Sequence, residues 1–265
     1  MGTAQSSSCE RSCPDDGLAM TTVVAIADHF GVVVATHSRL TAVRNDRRSF
    51  YNGFCKLLVL PPPNETVLVA HYGAAIVGTD PFPDAMDDFG ASFTATLSVE
   101  EISEALAHFV DGRLGAEQGL IGLVVAGFED GQRRAVARFG DTVGLLDTPD
   151  VLWAGDFDTG ARLVDGYSST ALRDNAVELG VDPNVAVELA RHGHRLAAVW
   201  PEMPRETAVE LARFVTTATI TAQHLLSPAD QHTSGGAVQV GVADRRGAGI
   251  LDPPGWQRAG LLVCT

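Results

Sequence analysis

Thr21 follows Met20 directly and opens the run Thr21-Thr22-Val23-Val24-Ala25-Ile26-Ala27. Removal of the chain through Met20 would leave one residue carrying both a hydroxyl nucleophile and a free α-amine. Such an amine titrates near ~8, so part of it is neutral at physiological pH and can take the hydroxyl proton directly or through one water. That chemistry needs no separate histidine. Threonine also favours strands, so the residue type alone leaves a purely structural role open. His192-Gly193-His194 lacks a third ligand at telling spacing and reads better as a polar helix end than as a metal site. Cys9, Cys13, Cys55 and Cys264 are too scattered for a disulfide framework or a zinc cluster. His71 reads as a buried, hydrogen-bonded strand histidine. No glycine-rich turn has the strand-loop-helix context of a phosphate loop, so neither cofactor nor metal is expected.

The element that must hold Thr21 is the strand it opens. Residues 21–27 and 32–39 read as two β-branched strands joined by the Asp28-His29-Phe30-Gly31 turn. The basic stretch 40–53 reads as a loop or irregular edge, and 55–60 and 66–72 read as strands on either side of a proline-rich turn. Gly73-Ala74-Ala75 ends the second of these. Segment 80–90, with its prolines and acids, reads as a loop, whereas Ser98-Val99-Glu100-Glu101 is a capping box that starts a helix running to about 114. Residues 120–128 and 134–139 form a hairpin pattern, and 151–155 one more strand. Helical periodicity then covers 160–164, 171–179, 184–192 and 205–225. A final hairpin spans 237–251. Strands, then helices, then strands, without regular βαβ alternation, predict an α+β protein of antiparallel sheets packed on helices.

A chain of 265 residues with 45% hydrophobic and 20% charged residues is long enough to bury one large core. We expect a single domain over 21–265, preceded by residues 1–20 as a disordered leader or a misassigned start, with Met20 as the true one. The net charge of -14 argues against nucleic acid or an anionic membrane as partner. No apolar run is long enough for a bilayer span and no basic-then-apolar signal precedes the domain, so the expected compartment is the cytoplasm.

Thr21-Thr22-x-Val24, the Gly31-Val32-Val33-Val34-Ala35 strand, Ser38-Arg39, Lys56, Gly73-Ala74-Ala75 and Ser234-Gly235-Gly236-Ala237-Val238 together resemble the proteasome-type N-terminal nucleophile (Ntn) hydrolases, the superfamily of the proteasome β subunits. The resemblance implies a four-layer αββα sandwich of two antiparallel sheets flanked by helices, with the threonine between the sheets, and assembly into a homo-oligomer or ring. It implies Thr21 as nucleophile and base, Lys56 as the cation beside it, Gly73 as an oxyanion donor through its N–H, and Arg39 and Ser234 as supporting residues. The expected activity is threonine-type hydrolysis of a peptide or other amide through an acyl-enzyme.

The departures from the family pattern are specific. His37 stands where the family carries the aspartate that pairs with the lysine, and a histidine cannot supply that charge. Gln231 replaces a second aspartate, Asp156 is a candidate substitute carboxylate, and Met20 replaces the glycine of autoprocessing members. The stretch 168–203 reads as a helical insertion. A noncatalytic, proteasome-like structural or assembly subunit with a degenerate site is therefore the rival reading.

Overall fold

The computed structural model describes residues 21–44, 47–114, 121–129, 132–139, 142–146, 150–154, 169–191, 202–226, 228 and 232–251. Two five-stranded sheets dominate it. The first has β1 (Val23–Asp28) and β2 (Gly31–His37) at its centre, with β12 (Asp150–Ala154) beside β1 and β13 (Val238–Asp244) followed by β14 (Gly247–Leu251) beside β2. The second runs β11 (Thr142–Leu146), β10 (Gln132–Phe139), β9 (Ile121–Glu129), β6 (Val67–Gly73), β5 (Leu57–Val59). Every pairing in both is antiparallel.

The Val, Ile and Ala content of β1 and β2 follows from burial of both faces of the first sheet. Val23, Ala25, Ala27, Val32 and Val34 share one cluster with Leu57, Leu68, Ala70, Val124 and Ala126 of the second sheet. Val24, Ile26, Val33 and Ala35 alternate with them and pack on Ala208, Ala212 and Val215 of α5 (Arg205–Leu226). The outer face of the second sheet, Val67, Val69, Val125 and Val136, meets α1 (Phe82–Ala91) and α2 (Val99–Asp111) through Phe82, Phe89, Ile102, Leu106 and Val110. Burying one such valine or leucine contributes about 1.5–3 kcal/mol, so these three apolar layers fix the register of β1 and hence of Thr21. At the β1–β2 turn, Gly31 has φ of 145° and an added Cβ would lie 2.1 Å from the Ala243 carbonyl oxygen, so no side chain fits there.

The α+β class with antiparallel sheets is as expected, and so is the capping box: Ser98 accepts from the Glu101 N–H while Glu101 accepts from the Ser98 N–H. Two local expectations need correction, and one strand was not expected. The basic stretch 40–53 contains a hairpin of β3 (Leu40–Arg44) and β4 (Arg47–Tyr51). The supposed loop 80–90 is largely α1, because Phe82, Ala85, Met86 and Phe89 recur at helical spacing and the proline sits in the first turn, where a missing N–H costs nothing. Strand β11 pairs with β10 although its sequence shows no clear alternation. Helices α3 (Ser169–Glu178) and α4 (Pro183–Arg191) fall where helices were expected and pack on each other. The expected helix 160–164 and residues 1–20 lie outside the described residues. No helix among the described residues is long and apolar enough to cross a membrane.

Candidate active site

Thr21 immediately precedes β1, and pairing of Val23 with Thr36 on one side and Ala154 on the other fixes its position. Lys56 immediately precedes β5 in the opposite sheet. The two sheets thus bring together residues 35 apart in sequence: Lys56 Nζ donates to Thr21 Oγ1 at 2.6 Å. Both side chains are buried, at 2% exposure each. The Lys56 backbone is held from both sides. Gln239 of β13 accepts from the Lys56 N–H at 2.9 Å and donates to the Phe54 carbonyl at 3.0 Å, while the His71 N–H donates to the Lys56 carbonyl at 3.1 Å.

The electrostatics of this centre are one-sided. Burial, with a smaller contribution from the Arg39 charge, lowers Lys56 from the ordinary lysine range to about 7. Neither Lys56 nor Arg39 has a carboxylate partner among the described residues. His37 is fully buried. Burial foremost, then the Lys56 and Arg39 charges, hold it well below the ordinary histidine range, against a weaker upward pull from the Gly235 backbone. It is therefore neutral. Its Nδ1 lies 3.3 Å from the Arg39 backbone nitrogen. His71 is buried as expected and is also held neutral, by burial first and the Lys56 charge second. Its ring stacks on Phe82 with centroids 4.1 Å apart, and the Ala74 backbone exerts a weaker upward pull on its pKa.

Around this centre Ser38-Arg39 and Ser234-Gly235-Gly236 interlock. Arg39 donates through Nε to Asn52 Oδ1 at 3.0 Å and through Nη1 to the Ser234 carbonyl at 3.2 Å, and its N–H donates to the Gly235 carbonyl. Ser38 Oγ accepts from the N–H groups of Gly53 and Ala237. Gly236 has φ of 75°, and a Cβ there would lie 2.4 Å from Ser38 Oγ; only glycine satisfies both conditions. From α5, Gln223 Oε1 accepts from the Ser234 N–H at 2.7 Å.

Thr21 and Lys56 form one hydrogen-bonded pair, and His37, Arg39 and Ser234 a second set of contacts that the Lys56 charge influences without a direct hydrogen bond. Gly73 closes β6 opposite Ile121, with φ of 83°, on the same strand as His71. Sequence reasoning missed Gln239, Gln223 and Asn52. Gln239 carried a usable signal, because a glutamine inside the apolar run Val238-Gln239-Val240-Gly241-Val242 must find buried partners. Cys55, next to Lys56, is disulfide-bonded. Met20, Asp156, Gln231 and His192-Gly193-His194 lie outside the described residues. Among the described residues, no three of the His, Cys, Asp or Glu side chains gather as metal ligands.

The hydroxyl of Thr21 is hydrogen-bonded to a lysine with a lowered pKa. The lysine can give a proton to, or take one from, the oxygen it touches. No family model matches this chain, and no curated protein matches it significantly.

Proposed function

We propose that this protein is a threonine-type amide-bond hydrolase, a peptidase of the proteasome-like Ntn superfamily with its αββα sandwich. The observation that carries the reading is the 2.6 Å hydrogen bond between Lys56 Nζ and Thr21 Oγ1, buried between two antiparallel sheets. Cleavage after Met20 frees the Thr21 α-amine. Thr21 Oγ then attacks the substrate carbonyl as its proton passes to the α-amine or to neutral Lys56, and the N–H of Gly73 receives the developing oxyanion. The amide C–N bond breaks, the amine leaves with the proton, and water hydrolyses the Thr21 ester. A homo-oligomer or ring belongs to the same reading and is supported by exposed Phe214, Leu225 and Leu226 on α5. The cytoplasm remains the proposed compartment, although the Cys55 disulfide favours an oxidising one.

His37 favours one rival, a noncatalytic subunit that keeps the fold. Hydrolysis of a fluorogenic peptide library by the processed protein decides between them. Activity lost in Thr21→Ala and in Lys56→Ala supports the enzyme. No turnover by a chain shown to begin at Thr21, or turnover unchanged in Thr21→Ala, supports the structural subunit.

A further inference from the structure

Helix α5 has two apolar faces. Ala208, Ala212 and Val215 pack on the first sheet, whereas Phe214, Leu225 and Leu226 are 60%, 77% and 84% exposed. With Thr217, Ala218, Thr221 and Ala222 they line a shallow groove of about 490 Å³ on the helix surface. A contiguous apolar stripe of this kind marks a contact surface.

The stripe is symmetric about its middle. Phe214 and Leu225 stand at its ends, Thr217 and Ala222 inside them, and Ala218 and Thr221 innermost, and each of these pairs is centred on the same point between Thr219 and Ile220. A second α5 laid antiparallel across that point therefore sets Phe214 against Leu225 at both ends and small residues against small residues between them. The small residues let two helices approach closely, and the large ones fill the space at either end. A patch that complements its own copy is what a two-fold contact requires.

Charge favours the same arrangement. The chain carries a net charge of -14, so most faces of two copies repel each other. Residues 211–226 include no Asp or Glu, and their one fixed charge is Arg213. In the antiparallel pair Arg213 stands level with Leu226 of the other copy, where α5 ends and its dipole is negative.

We propose that α5 of two copies packs antiparallel through this stripe, forming a two-fold dimer with Ala218 and Thr221 at its centre. The pairing rests on the homo-oligomer of the hydrolase reading but needs no catalysis.

The test is the mass of the full-length protein by sedimentation and light scattering, at concentrations from about 1 to about 100 μM. The wild type is expected as a dimer or an even multiple of it, and salt should not dissociate it, because the contact is apolar. Ala218→Glu puts carboxylates into the seam at a half-buried position, and pairing should weaken by at least about tenfold with an unchanged circular-dichroism spectrum. Thr217→Glu and Ala222→Lys should each weaken it too. The double variant should recover it, because the register sets position 217 of one copy against position 222 of the other, while the two lie too far round one helix to pair within it. A wild type that stays monomeric, an oligomer untouched by Ala218→Glu, or a double variant no better than its parents overturns the pairing. A monomer that pairs only after Leu261→Asp and Leu262→Asp assigns the stripe to the chain's own C-terminal segment and also overturns it. Dimers without peptide turnover overturn the hydrolase and keep the pairing, and turnover by a monomeric wild type does the reverse.

Discussion

Lys56 should make the stability of this protein rise with pH across a range in which most proteins change little. Its folded pKa of about 7 lies below the ordinary ~10.4 of an unfolded chain, because burial and the Arg39 charge disfavour the ammonium. Between those two values the unfolded chain holds a proton that the folded chain has released. Stability therefore climbs as pH rises through that window, and the full cost of burying Lys56 is felt below it. One proton contributes at most about 1.4 kcal/mol per pH unit, so the rise between pH ~7.5 and ~9.5 amounts to about 2 kcal/mol. For a domain of this size that corresponds to roughly 4–8 °C in the midpoint. The assay is urea or thermal unfolding of the wild type and Lys56→Met at several pH values in that window. Lys56→Met loses the Thr21 hydrogen bond at every pH, so its curve is offset, but its slope should be flatter by the amount given. Parallel curves would refute the reasoning and place the Lys56 pKa in its ordinary range.

Three further outcomes follow from the same geometry. Gln239→Leu leaves the Lys56 N–H and the Phe54 carbonyl buried without partners, so equilibrium unfolding should show a loss of about 2–4 kcal/mol; a loss under about 0.5 kcal/mol would mean that water replaces the side chain. Gly236→Ala forces a left-handed residue to carry a Cβ, at about 1–2 kcal/mol before its contact with Ser38 Oγ is counted, and a lowered midpoint together with lost activity is expected. His71 is kept neutral in the fold while the unfolded chain takes up a proton below ~6.5, so stability falls as pH drops below that point. His71→Leu should shallow that acid limb, and an unchanged limb in circular-dichroism melts would show that His71 does not contribute to it.

Much of the fold was readable because burial leaves a pattern. The runs of β1, β2, β6 and β9 could only be interior strands, and the Ser98 capping box announced α2 to the residue. Other elements lacked such signals. Helix α1 hid behind two prolines and four acids, since its apolar face of Phe82, Ala85, Met86 and Phe89 appears only when the chain is read with helical periodicity. The β3–β4 hairpin was hidden by three arginines, because an edge ribbon needs little apolar alternation. At the site, residue type pointed to Thr21, Lys56 came only from the resemblance to the proteasome-type hydrolases, and the contact between them follows from two sheets facing each other. The environment of Lys56 was not readable in the same way. Its burial, the absence of a carboxylate partner among the described residues and the neutral state of His37 all depend on packing from several strands. Gln239 and Gln223 show the same limit: a side chain that ties one element to another through the backbone has no local signature.

The claim that Thr21 is an activated nucleophile is tested most directly by intact mass and N-terminal sequencing, before and after treatment with a threonine-directed epoxyketone. The account predicts a chain that begins at Thr21 and gains one inhibitor, joined to both Oγ and the α-amine, with no gain in Thr21→Ala. A chain that begins at Thr21 and takes up no inhibitor would contradict it.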